Sequence, residues 1–338
     1  MSHTHRKQQH LDICLYKDVR SALTTGLERY RLVHQALPEM ALADVDTRTE
    51  FLGHPLNAPI LISSMTGGAE RAYDINRRLA AAAQELGLAM GVGSQRVGIE
   101  DPSQMESFAV RDIAPDILLF ANLGAVQLNY GYGVKECRAT VESIGADALI
   151  LHINPLQEAV QPGGDTDYGD LAAKIAAICH ELPYPVIVKE VGWGLSRAAA
   201  RQLRRAGVAA LDVAGAGGTS WSEVERYRAE TPADAEVAAA FVGWGIPTAD
   251  SLREVRHECP GMPLIASGGI TSGVEAAICL ALGADLVGLA RHLLAPAVSS
   301  AEATFERLSV IVRQLRIAMF CAGARTPADL DETRLTTV

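Results

Sequence analysis

The stretch PLIASGGITSGVEAAICLALGADLVGLAR, residues 263–291, decides the fold. It opens on a short apolar run (263–266) and breaks at Gly268-Gly269. A helix signature follows from Ser272 and stops at Gly283, and a second apolar run (285–289) ends in Ala290-Arg291. Neither run alternates polar with apolar residues. Runs that are apolar throughout suit parallel strands buried on both faces, and the helix between them serves as the crossover.

The same unit recurs upstream. Apolar runs at 59–63, 88–93, 116–121, 148–152, 186–189 and 209–213 precede the first, which makes eight. Between them, Ile75, Leu79, Ala82 and Leu86 trace one helical face, with Gly87 as the stop. Ser196 and Thr248 stand at helix starts, and Gly145, Gly207 and Gly283 repeat the helix–Gly–strand junction. Eight alternating units predict a (β/α)8 TIM barrel rather than an open doubly wound sheet. We expect one domain over 1–338, with the barrel at 58–321 and an N-terminal extension (1–50) near the C-terminal rim. The stretch 215–247 is long for a strand–helix loop, which marks it as functional.

Composition bounds the rest. With 49% hydrophobic and 21% charged residues, the chain reads as an ordinary globular protein. A net charge of −10 disfavours a nucleic-acid partner. No run is long enough to span a membrane, and the polar first twenty residues hold no secretory segment. The six cysteines lie scattered without a C-x-x-C pair, so neither a disulfide framework nor a zinc site is expected. A cytoplasmic location follows as an expectation.

What comes after each run points to function. The runs lead in turn to Ser64-Met65-Thr66-Gly67-Gly68, Ser94-Gln95-Arg96, Asn122, His152-Ile153-Asn154-Pro155-Leu156-Gln157-Glu158, Lys189-Glu190, Gly217-Gly218-Thr219-Ser220-Trp221, Ser267-Gly268-Gly269 and Ala290-Arg291. A parallel barrel gathers all of these on its C-terminal rim, where such folds carry their chemistry. That loops are polar accounts for the Ser, Gly and Asn, but not for Lys189 and Arg291 directly after buried strands. The glycines 268–273 at a helix start, with Arg291 behind the last strand, read as a phosphate site. Lys189 has three readings: a Schiff-base lysine, a partner of a flavin ring, or an ion pair with Glu190. His152 and Glu158 are open to metal ligation or to acid–base work. Arg6, Lys7 and His10 would share a helical face only in part, and otherwise form a solvated basic start.

The strings Arg6-Lys7-x-x-His10, Met65-Thr66-Gly67-Gly68, Ser94-Gln95-Arg96, His152-x-Asn154-x-x-Gln157-Glu158, Gly217-Gly218-Thr219-Ser220-Trp221 and Trp244-Gly245-Ile246-Pro247-Thr248 together resemble the type II isopentenyl-diphosphate isomerases. The resemblance implies FMN, Mg²⁺ and NAD(P)H as reductant, and interconversion of isopentenyl and dimethylallyl diphosphate in isoprenoid biosynthesis. It also implies a homo-oligomer, a tetramer or larger. It assigns flavin contacts to Met65, Thr66, Gly67, Ser94, Asn122, Lys189 and Thr219, and the FMN phosphate to Gly268, Gly269, Ala290 and Arg291. Substrate would be held by Arg6, Lys7, His10, Ser94, Gln95, Arg96, His152, Asn154 and Gln157. Gln157 would be the catalytic side chain at the alkene, and Glu158 the ligand of Mg²⁺. One position departs: relatives with an acidic residue before Trp244 have Gly243 here, so a proton relay from that position cannot be carried over.

Two rival classes remain as expectations. An α-hydroxy-acid oxidase shares the last two strands but needs a rim histidine, which the loop at 217–221 lacks. A non-catalytic flavin- or phosphate-binding barrel would have no use for a second polar cluster at His152, Gln157, Glu158 and Arg96.

Overall fold

The computed structural model describes residues 3–68 and 70–338. Eight parallel strands close into a barrel in the order β7-β8-β1-β2-β3-β4-β5-β6. They are β1 Ile60–Ile62, β2 Ala89–Gly91, β3 Leu119–Gly124, β4 Ala148–His152, β5 Val186–Lys189, β6 Ala210–Asp212, β7 Leu264–Ser267 and β8 Leu286–Leu289. The (β/α)8 expectation holds.

Alternation of side chains explains how continuous apolar runs serve both faces. Leu61 points inward and packs with Phe120, Ile150, Ile187 and Ile265 inside the barrel, while Ile60 and Ile62 face the surrounding helices. Burying each such side chain contributes about 1.5–3 kcal/mol. A hairpin of Thr49–Phe51 and His54–Leu56 plugs the lower end, with the Phe51 and Phe120 rings in edge contact at 6.4 Å. The opposite end is left for the site.

Seven helices bear on it: α1 His3–Tyr16, α2 Glu70–Leu86, α3 Pro155–Val160, α4 Trp221–Arg228, α5 Gly273–Ala281, α6 Arg291–Ser299 and α7 Ala301–Ala322. α1 crosses the C-terminal rim and packs on α4 and α6. The segment after it is pinned to the β6 loop, since Ser21 N–H donates to Gly218 and Ser220 N–H to Val19. Tyr30–Leu32 pairs antiparallel with Leu335–Thr337, which ties the last strand to the segment after α1.

Two local expectations change. The run at 116–121 begins too early: residues 116–118 bend into the barrel, and the ladder runs 119–124, placing Asn122 within a strand. Thr248 does not cap its helix; its hydroxyl donates to the Gly268 carbonyl at 2.7 Å and secures the turn after β7. Among the described residues no helix is long and apolar enough to cross a membrane.

Candidate active site

The rim residues surround one cavity of about 930 Å³, near the top of the range for small-ligand sites. Met65, Thr66 and Gly67 enter from the β1 loop, Ser94 from the β2 loop, and Asn122 and Lys189 from β3 and β5 themselves. Thr219, Gly268, Gly269, Ala290 and Arg291 complete that wall from the last three loops. Across from them stand Arg6, Lys7 and His10 of α1, Arg96 after β2, and His152, Asn154, Gln157 and Glu158 around β4 and α3.

Gln95 is the exception. It is fully buried away from the cavity, where its amide nitrogen donates to the Thr140 carbonyl at 2.8 Å and its oxygen accepts from Asn122 N–H at 3.0 Å. The substrate-contact expectation for Gln95 is therefore corrected: it fixes β3. Both of its polar ends are consumed by the backbone, so nothing remains to reach a ligand.

Electrostatics distinguish the two sides. Lys7 donates to the Ser94 carbonyl at 2.5 Å and lies 5.0 Å from the centre of the Phe108 ring. Burial, helped by neighbouring Arg6, pushes its ammonium down to about 7. Burial likewise lowers Arg6. His152 Nδ1 lies 2.9 Å from Asn122 Oδ1. Burial, with Lys189 and Lys7 nearby, pushes its imidazole down to about 3. It is a neutral ring that supplies position rather than charge. Its partner is Asn122 and not Glu158, and among the described residues no cluster of three or more metal-ligand types forms.

Lys189 donates to the Glu190 carbonyl at 2.6 Å. The Glu190 carboxylate instead accepts from the N–H groups of Val191, Gly192 and Trp193 at 2.6–2.7 Å, so the side-chain ion pair is not formed. Burial raises Glu190 to about 7 against those donors. Ala214, beyond β6 on the cavity wall, holds a φ of 38°, a strained conformation of the kind kept at functional sites.

The polar cluster of α3 is a chain of bonds. Asn154 Nδ2 donates to Gln157 Oε1 at 3.1 Å and to Glu158 Oε1 at 3.0 Å. Gln157 Nε2 donates to Glu225 Oε1 at 3.2 Å, and His10 Nε2 lies 2.9 Å from the same oxygen. Arg228 closes on the other oxygen of Glu225. Burial pushes the Glu225 carboxyl up, but His10, Arg228 and Gln157 outweigh it and hold the group below its ordinary value. Glu225 is thus a buried anion beside the Gln157 amide. Sequence reading missed it because the stretch WSEVERYR of α4 looks like a solvated charged helix. The only signal was its place one helical turn after Trp221, whose indole meets the His10 ring edge-on at 5.2 Å. Gly243, the position where a proton relay could not be carried over, is exposed and does not line the cavity. Asp165 was also missed; it binds Arg96 at 2.5 Å and accepts from Gln127 at 3.0 Å.

The donor set fits the groups the resemblance implies. Ser63, Ser64 and His292 carry buried polar atoms without a partner and line the cavity, as an enclosed polar ligand such as a flavin mononucleotide would require. The turn at Gly268 (φ 108°) and Gly269 (φ 74°) packs so closely on Gly218 that a Cβ there would lie 2.6 Å from the Gly269 nitrogen. Backbone is thereby exposed to a ligand with no side chain in the way. Glu158 offers one carboxylate, which suits Mg²⁺ when substrate oxygens and waters complete its shell.

These features define a flavin-dependent (β/α)8 barrel, and the model for the FMN-dependent dehydrogenase family matches residues 18–108 and 164–337. Among solved structures, a mandelate oxidase variant aligns with TM-score 0.68 at 18% identity, covering 98% of this chain and 95% of that one. A lactate oxidase from Pediococcus acidilactici aligns with TM-score 0.67 at 17% identity, covering 100% and 88%. At such identity the likeness is of fold alone. Sequence relatives are far nearer. Isopentenyl-diphosphate delta-isomerases are 57% identical in Synechococcus sp. (94% of this chain, 92% of the relative) and 52% identical in Rickettsia peacockii (98% and 96%). That of Nostoc sp. is 52% identical (97% and 93%). The chain belongs to the isopentenyl-diphosphate delta-isomerase family.

Proposed function

We propose that this protein interconverts isopentenyl and dimethylallyl diphosphate, with FMN in its reduced form and Mg²⁺ bound. One observation carries the reading: the cavity that offers a flavin-type wall is also lined by Gln157 and His10, both bonded to the buried Glu225 behind them, and by a cationic end. An oxidase has no need of that second constellation, and the relatives at 52–57% identity bear the isomerase name.

The reaction adds a proton at one carbon and removes one from another, with no net redox. Positive charge develops at a tertiary carbon, which demands electron-rich surroundings and the exclusion of water. Reduced FMN supplies such an electron-rich ring when bound. Met65, Thr66, Gly67, Ser94, Asn122, Lys189 and Thr219 would hold it, and Gly268, Gly269, Ala290 and Arg291 would take its phosphate. Arg6, Lys7, Ser94, Arg96, His152 and Asn154 would take the diphosphate, and Glu158 would offer its carboxylate to Mg²⁺. That anchor fixes the alkene. Gln157, a poor acid or base, is held in one orientation: Asn154 donates to its oxygen and Glu225 accepts from its nitrogen. Glu225, anionic and shielded behind Gln157 and His10, stabilises the developing cation through the Gln157 amide it orients, and His10 Nε2–H donates to it and holds it in place. α1 closes the rim against water.

NAD(P)H is the reductant in this reading. Cysteines that are all free fit a reducing compartment such as the cytoplasm. Exposed Tyr16, Leu37 and Trp244 fit burial in a homo-oligomer, a tetramer or larger. The test is an anaerobic assay with isopentenyl diphosphate, FMN, Mg²⁺ and NADPH, omitting each in turn. Dimethylallyl diphosphate should form only with the full set. Undiminished turnover with fully oxidised flavin, or none with the full set, overturns the reading.

A further inference from the structure

The phosphate end of the cavity is organised differently from what its sequence indicates. The start of α5 would be the obvious anion site, but its amides are occupied. Glu275 accepts from the N–H groups of Thr271 and Ser272, at 2.8 and 3.0 Å. Gln314 takes the N–H of Gly273 at 2.9 Å. Glu275 also sets a negative charge beside the turn. Arg291, the cation next to this end, spends two of its five donors on the carbonyls of Cys14 and Lys17.

Two side chains remain. Arg307 of α7 lines the cavity, and its one hydrogen bond among the described residues, from Nη2 to the Thr271 carbonyl, is a marginal 3.5 Å. His292, at the start of α6, lines it too, and its Nε2 is buried with no partner. Burial lowers the His292 imidazole and nearby Arg307 adds to it, while Glu275 acts the other way. A guanidinium and an imidazole thus face a polar turn whose Gly269 and Ile270 amides bond to no acceptor among the described residues. That is the donor set of a phosphate monoester site.

We infer that Arg307, reaching in from outside the barrel with His292 beside it, is the principal cation on the FMN phosphate. This rests on the FMN reading above. Its charge offsets Glu275, while Gly269 and Ile270 N–H groups complete the cradle. The residue is invisible in the strand-and-loop pattern because it belongs to the helix after the eighth unit.

The experiment titrates the deflavinated full-length chain with FMN and, separately, riboflavin, following flavin fluorescence, for wild type, Arg307→Gln and Arg307→Lys. Loss of a charge-assisted contact is expected to weaken FMN by about 10- to 100-fold. Riboflavin, which lacks the phosphate, should change by less than about twofold, and Arg307→Lys should recover part of the loss. Wild-type FMN affinity in Arg307→Gln, or an equal loss for both flavins, overturns the assignment. Failure of wild type to bind either flavin would instead overturn the FMN reading itself, and this inference with it.

Discussion

Arg291 donates from Nε to the carbonyl of Cys14 at 3.0 Å and from Nη2 to that of Lys17 at 3.2 Å. These carbonyls lie at the end of α1, where a helix leaves acceptors unpaired and favours a cation. The arginine that follows the last barrel strand therefore ties down the helix bearing Arg6, Lys7 and His10. Removing it by Arg291→Ala should cost that helix end about 1–2 kcal/mol and raise amide exchange through α1 by about 5- to 30-fold. The KM for isopentenyl diphosphate should rise with it. Hydrogen-exchange mass spectrometry reads the first effect; a protection pattern like the wild type would sink the tether.

Glu225 holds Gln157, His10 and Arg228 together at the reacting end. Glu225→Gln keeps the size and one acceptor but removes the charge. The expected result is a fall in kcat of about 10²- to 10⁴-fold, with the KM changing far less. Circular dichroism and FMN affinity should stay close to wild type, which separates loss of chemistry from loss of fold. A variant with normal kcat would rule out a role for the Glu225 charge behind Gln157.

Lys7 gives a pH signature whose sign follows from its position. Burial beside Arg6 brings the ammonium down to about 7, so in the free protein it is charged below that pH and loses its proton above it. A diphosphate needs the charged form. Affinity for the substrate should therefore fall as pH rises from about 6 to 8, approaching tenfold per unit at the alkaline side if Lys7 alone titrates. Arg stays charged over this range, so Lys7→Arg should flatten the profile. Parallel KM–pH curves for the two proteins would exclude Lys7 as the titrating group.

How much of this was legible beforehand depends on whether the signal is local. β4 and β5 match the runs 148–152 and 186–189 residue for residue, because strands buried on both faces announce themselves by composition. Asn122 looked like a loop residue, since Ile117 and Leu118 are apolar and buried although they precede the strand. Glu225 was hidden for a different reason. The packing of α1 and α3 against α4 buries it, and the contact with α1 spans some two hundred residues of sequence. Arg307 and Asp165 share this origin, as does the demotion of Gln95: tertiary placement decided each.

Glu158 provides a test specific to the metal. Its carboxylate accepts from Asn154 on one oxygen and from Asp165 N–H, at 2.8 Å, on the other, so it is oriented before any ion arrives. Glu158→Gln preserves the shape while discarding the charge that Mg²⁺ prefers. The Mg²⁺ concentration giving half-maximal activity should rise at least about tenfold, and FMN affinity should stay the same. An unaltered Mg²⁺ requirement would show that the ion is held elsewhere.

Gln95 distinguishes a contact from a support. Its carboxamide satisfies Thr140 and Asn122 of the backbone, both buried. Gln95→Ala strands the Asn122 N–H in the interior, while the Thr140 carbonyl keeps the Ser143 hydroxyl as donor, so stability should fall by about 1–3 kcal/mol. A drop of that size is a large share of the folding free energy of a typical domain, and thermal unfolding should register it plainly. Where the protein remains folded, the effect on catalysis should run through the loosened Asn122, whose Oδ1 lies 2.9 Å from His152 Nδ1. FMN affinity and the substrate KM should then worsen together. A residue that touched substrate directly would behave the other way, raising the KM with the unfolding temperature intact, and that outcome would restore the contact role that the geometry removes.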